Sequence, residues 1–184
     1  MPLMSLAADN HGRGSQATPT TAAPLRADYP PGAAARRAAS EPLWFCLYLR
    51  ELPAPCLERR QRWLTELATG LMRFSPAVSL DQENGAVLCE AAASLHLFGG
   101  LASLHRRILA LPVLAGARVS CSVAPSATAA LWLARAGQPV IVPSRATLVA
   151  RLSGLPLAAT GWPASRLRLL SELGIGTIGE CLRL

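Results

Sequence analysis

Three carboxylates, Asp81, Glu83 and Glu90, fall in a ten-residue span of the run Val78-Ser79-Leu80-Asp81-Gln82-Glu83-Asn84-Gly85-Ala86-Val87-Leu88-Cys89-Glu90. Carboxylate oxygens are the donors that a hard divalent cation takes, so these acids are candidate cation ligands if the fold brings them together. A second chemistry lies near the C-terminal end, in Leu173-Gly174-Ile175-Gly176-Thr177-Ile178-Gly179-Glu180-Cys181-Leu182. Glycines permit a tight turn there, and N–H groups at the start of the following helix can hold a phosphate without reading sequence. Arg166 and Arg168, on the preceding segment, add positive charge. Cys46, Cys56, Cys89, Cys121 and Cys181 stand singly with no Cys-x-x-Cys pair, and His11, His96 and His105 are scattered. Zinc is therefore not expected. The odd number of cysteines in apolar settings points to buried thiols in a reducing compartment rather than a disulfide framework.

The elements that must position these groups follow from periodicity. Residues 1–41, rich in Ala, Pro, Gly, Thr and Ser, have too little apolar surface to offset chain entropy and read as a disordered tail. Residues 43–49 form an apolar and aromatic run, as in a strand buried on both faces. Leu57, Leu64, Leu67, Leu71 and Phe74 recur at helical spacing with charges between them, predicting an amphipathic helix over 56–74. Gly85 marks a hairpin-type turn. Two short strands, 86–90 and 95–98, are expected next. A helix follows through Gly99-Gly100, then a strand over 117–123 and a helix over 125–136. A short strand at 139–142, a helix over 144–152, a helix over 164–173 and a last helix from Thr177 to Leu184 complete the chain. The order predicts a ferredoxin-like α+β domain, an antiparallel sheet with helices on one face, and residues 173–182 after it resemble the turn of a small helix-hairpin-helix module.

The chain has 184 residues, 18 arginines, no lysine and a net charge of +7, a balance that favours approach to a polyanion. No apolar run reaches the length of a membrane-spanning helix, and the first residues carry no secretory pattern. A soluble, cytoplasmic protein is expected.

The stretch from Val78 to Gly100, with its Leu97-Phe98-Gly99-Gly100 end, resembles the palm motif of Y-family (UmuC-like) lesion-bypass DNA polymerases, in which a Ser-Ile-Asp-Glu-Ala strand precedes a small-residue turn and Leu-Phe-Gly. That family holds two Mg²⁺ ions on carboxylates there. If Ser79-Leu80-Asp81-Gln82 matches the family's Ser-Ile-Asp-Glu, Asp81 survives and Gln82 replaces a ligand. If 86–90 is taken as the strand after the acid pair, Gly85 and Ala86 stand at both acid positions. The first palm strand, matched by 43–49, has no acid. Residues 117–135 are similar to the segment in which a Ser-x-Gly-Ile-Ala strand precedes an Asn-Lys helix, with Pro125-Ser126-Ala127 in place of the Asn-Lys pair; of this segment, Arg135 remains a candidate partner for a phosphate or an acid. Between Leu49 and Val78 there is no room for the family's fingers domain.

These departures look most like the catalytically impaired, ImuB-type members. The resemblance implies a palm over 42–153 lacking full fingers, a truncated helix-hairpin-helix module over 154–184, and no catalytic residues. It implies a non-catalytic accessory role in DNA repair, the SOS response and translesion synthesis. Its implied partners are DNA, an error-prone replicative-type polymerase, a RecA-like protein and the sliding clamp. DNA contacts are expected at Gly174, Gly176, Thr177, Arg166 and Arg168. No cofactor is expected. The alternative is an active nucleotidyltransferase using Asp81, Glu83 and Glu90 for Mg²⁺.

Overall fold

The computed structural model describes residues 41–52 and 56–184, so the expected tail lies outside the described residues except for Glu41. Strand β1 (Trp44–Glu51) leads through helix α1 (Leu57–Leu71) to the hairpin β2 (Val78–Asp81) and β3 (Ala86–Glu90). Helix α2 (Leu101–Leu109), strand β4 (Arg118–Ala124) and helix α3 (Ala127–Arg135) follow, then α4 (Arg145–Ser153), α5 (Ala164–Glu172) and the short α6 (Ile178–Cys181). The four strands form an antiparallel sheet in the order β2-β3-β1-β4. This is a β-α-β-β-α-β succession in an α+β fold, with 78–81 and 86–90 as the middle pair of strands where 86–90 and 95–98 were expected.

Alternation along the strands explains the layers. Phe45 and Leu47 of β1, Val87 and Cys89 of β3 and Val123 of β4 point to one face, where Leu64, Leu67 and Leu71 of α1 and Leu104 and Ile108 of α2 pack on them. Cys46, Ala86, Leu88 and Ala124 point to the other, against Ala130, Leu133 and Ala134 of α3, Leu152 of α4, and Ile175 and Ile178 further on. Helices thus cover both faces, a correction to the expected one-sided sheet. The central strands are apolar on both sides, and one helical layer would leave half of that surface in water.

Other expectations change in detail. The hairpin is made by β2 and β3, and 95–98 is no strand. Residues Ala92–Phe98 form a 3₁₀ helix that closes at Gly99 with φ 75°. Glu90 turns its carboxylate onto the N–H groups of Leu43 (3.1 Å) and Ala92 (2.9 Å), ending β3 there. The strand expected at 139–142 is reduced to a single parallel bridge, Val123 to Ile141. Pro139 and Pro143 lack the N–H groups that would extend it. The last helix is one turn long rather than reaching Leu184. Among the described residues, no helix is long and apolar enough to cross a membrane.

Candidate nucleic-acid interface

The glycine turn joins α5 to α6, with Gly174 in the left-handed region at φ 76°. Two backbone hydrogen bonds seat it on the domain, the Leu157 N–H donating to the Gly176 carbonyl at 2.9 Å and the Ile178 N–H to the Leu155 carbonyl at 2.9 Å; together they form an antiparallel bridge between Pro156 and Thr177. Gly179 makes the approach of α6 to α4 close enough that an added Cβ would stand 2.7 Å from the Ser153 carbonyl oxygen. The hairpin therefore packs as part of the second core.

The N–H groups of Gly176, Thr177, Ile178 and Glu180 are already used. Thr177 caps α6, accepting from the Glu180 N–H at 3.2 Å, and Glu180 Oε2 accepts from the N–H groups of Gly176 (2.8 Å) and Thr177 (2.9 Å). This capping box joins Thr177 to Glu180, three residues on. Those hydrogen bonds, from Gly176 first and Thr177 next, hold the Glu180 carboxyl below the usual carboxylate range. A phosphate reaching Gly176 or Thr177 competes with this internal anion. The Thr-x-x-Glu spacing was visible in the chain as a capping signature, and it was the signal that sequence reasoning passed over.

Arg166 and Arg168 are both exposed on α5. Standing two residues apart, they are about 200° apart around a helix and do not share a face. The Arg166 guanidinium lies over the Trp162 ring, 5.6 Å from its centroid. It is thus braced at the N-terminal end of α5, the end away from the turn.

The candidate acids are not brought together. In the sheet register Asp81 pairs with Ala86, while Glu90 pairs with Trp44 at the opposite end of β3. Four residues of strand separate those levels, about 13 Å at ~3.3 Å per residue. Asp81 spends both oxygens on Asn84, accepting from its N–H at 3.0 Å and its side-chain amide at 2.7 Å. Glu83 is exposed in the turn, its carbonyl accepting from Arg60 at 3.4 Å. Across the sheet from Asp81 the row continues through Ala86 and Tyr48 to Ser120, none of them acidic. Among the described residues, no group of three or more His, Cys, Asp or Glu is arranged to hold a metal ion. These residues do not fit a pair of Mg²⁺ ions.

Ser126, where the resemblance expects a basic pair, is the N-cap of α3 and accepts from the Ala129 N–H at 3.5 Å. Arg135, at the other end of that helix, lies 6.0 Å from the Tyr48 ring centroid. Its guanidinium also packs over Gly161, in the space that a Cβ would fill. Burial pushes the Cys121 thiol up to about 12 and the Cys89 thiol up to about 11, so neither is poised as a nucleophile.

No protein-family model matches the chain, and no solved structure matches it. It is similar to Protein ImuB of Caulobacter vibrioides, in two strains, at 30% identity over 121 residues. That match covers 66% of this chain and 26% of the relative, so the chain spans about a quarter of the curated protein it resembles. The molecule is an α+β domain with a four-stranded antiparallel sheet, similar over 66% of its length to part of ImuB.

Proposed function

We propose that this chain is a non-catalytic Y-family-like accessory protein in DNA-damage tolerance. Residues 42–153 act as a palm without full fingers, and 154–184 as a helix-hairpin-helix module. The observation that carries the reading is the cross-sheet row Asp81–Ala86–Tyr48–Ser120, which offers one carboxylate, itself bound to Asn84. The similarity to ImuB supports the damage-tolerance setting. In this reading the sheet and its helices serve as a scaffold in translesion synthesis. The partners are DNA, an error-prone replicative-type polymerase, a RecA-like protein and the sliding clamp, within an SOS response in the cytoplasm.

DNA contact in this reading is made around Gly174, Gly176 and Thr177, with Arg166 and Arg168 supplying charge. Because Glu180 competes for the Gly176 and Thr177 donors, the arginines carry most of the attraction. Replacing both should weaken binding on all sequences alike and flatten its salt dependence, by about 1.4 to 1.8 in slope for two phosphate contacts. An unchanged slope retires the hairpin as a DNA contact. Primer extension with Mg²⁺ or Mn²⁺ tests the non-catalytic assignment: no incorporation is expected. Robust incorporation that Asp81→Ala abolishes would establish the nucleotidyltransferase alternative instead.

A further inference from the structure

On the sheet face opposite the hairpin, the C-terminal ends of α1 and α2 meet and present three exposed arginines, Arg73, Arg106 and Arg107. Ser103, Arg106, Arg107 and Ala110 stand at i, i+3, i+4 and i+7, so one face of α2 lines a shallow cup of about 380 Å³. Arg107 and Ala110 also line a second cup of about 260 Å³, which Arg73 enters from the end of α1 over a floor of Phe74, Leu111 and Pro112. Arg107 is the wall the two cups share. It is held in place by the Phe98 ring, whose centroid is 5.9 Å away, and Phe98 is in turn set edge-on against Phe74 at 5.3 Å. None of these three forms an ion pair with a carboxylate among the described residues.

Cations at helix C-termini complement the dipole, and that alone accounts for single arginines at each end. It does not account for the convergence. Two helix ends contribute about half a negative charge each, and three guanidiniums outweigh them by about two positive charges. The site attracts anions.

We infer that this double cup binds successive phosphates of a nucleic-acid backbone, a contact separate from the hairpin. Guanidinium forks converging from two helices suit a tetrahedral phosphate, which accepts hydrogen bonds from several directions. Two cups in series, sharing a wall, suit an anion whose charges repeat along a line. With the whole helix-and-sheet thickness between the two contacts, a strand held here is a different segment from one at the hairpin. The inference rests on the reading of the chain as a nucleic-acid-associated protein, and goes beyond it in naming a second surface.

The test is fluorescence anisotropy of a labelled single-stranded oligonucleotide, and of its duplex, titrated with the full chain across a range of salt. Four proteins are compared: wild type, Arg73→Gln/Arg106→Gln/Arg107→Gln, Arg166→Gln/Arg168→Gln, and all five changes together. The triple variant should lower the slope of log affinity against log salt by about 2 to 3, at 0.7 to 0.9 per phosphate contact, and the loss should add to that of the hairpin variant. Whichever oligonucleotide shows the larger loss identifies single or double strand as the occupant. A triple variant with wild-type slope on both probes overturns the inference. If circular dichroism reports that this variant has not folded, Arg106→Gln alone is read, with an expected slope loss of about 0.7 to 0.9; no change overturns the inference equally. Loss of slope in the hairpin variant alone leaves the proposed function standing and removes this site. No loss in either removes both. Poly-glutamate or phosphatidylserine vesicles that bind the cups more tightly than the oligonucleotides would assign the surface to an acidic protein or a membrane instead.

Discussion

Glu180 decides what the glycine turn does, because one carboxylate answers two backbone N–H groups that would otherwise face an incoming anion. Its carboxyl is held below its ordinary range in the folded chain, so the contribution to stability is present above the unfolded-state value and is lost as pH falls through the folded one. Chemical denaturation of wild type and Glu180→Gln is therefore expected to differ at neutral pH and to converge on acidification. A gap that widens as pH falls contradicts the capping box. Thr177→Ala, which removes the reciprocal cap, should cost about 1 kcal/mol. Thiol chemistry is set at the same scale. Cys56 is exposed, whereas Cys46, Cys89 and Cys121 are buried with thiols that burial pushes up. A maleimide reagent on the native chain should modify Cys56 first and Cys181 more slowly; the three strand cysteines should react only when denaturant is added.

At the scale of elements, the joint between α4 and α6 has no slack. A methyl group at Gly179 would meet the Ser153 carbonyl oxygen at 2.7 Å and its Cβ at 2.8 Å, and backbone cannot swing aside as a side-chain tip can. Gly179→Ala should destabilise by about 1 to 3 kcal/mol in urea unfolding. A change within a few tenths would mean the two helices do not approach as described. The periodicity of α1 was legible in the chain: Leu64, Leu67 and Leu71 recur at helical spacing and all three are buried. Leu57 belonged to the same pattern and is 66% exposed, in the first turn of the helix, where it lines an open pocket with Leu49 and Leu52. The misassigned strand at 95–98 has a similar cause. Leu-His-Leu-Phe alternates like a strand, but β1 is already flanked by β3 and β4, and Glu90 caps the chain into a different turn.

For the whole molecule, two cores share one sheet. Leu64 belongs to the first and Leu133 to the second, and both are fully buried. Truncating either to alanine should cost about 2 to 5 kcal/mol. Because β1 and β3 contribute side chains to both cores, the two variants should shift one common unfolding transition. Separate transitions for the fluorescence of a variant that keeps Trp63 and has Trp44, Trp132 and Trp162 replaced by Phe, and for its total helicity, would divide the molecule in two. The same two-sidedness sets the two arginine-bearing surfaces apart, with Arg73, Arg106 and Arg107 on one side and the hairpin with Arg166 on the other.

The helical periodicity of α1, the apolar run of β1, the shortage of acids along that strand and the concentration of positive charge in arginine were set by residue type and spacing, because periodicity and composition are local properties of a chain. Tertiary structure alone decided which distant groups meet. Register sends Asp81 and Glu90 to opposite ends of a hairpin, packing brings the ends of two helices together around Arg107, and the fold of a single turn gives Glu180 the donors that a phosphate would seek. Each outcome is a distance or a competition for one hydrogen-bond donor, and neither is defined until the chain has closed on itself.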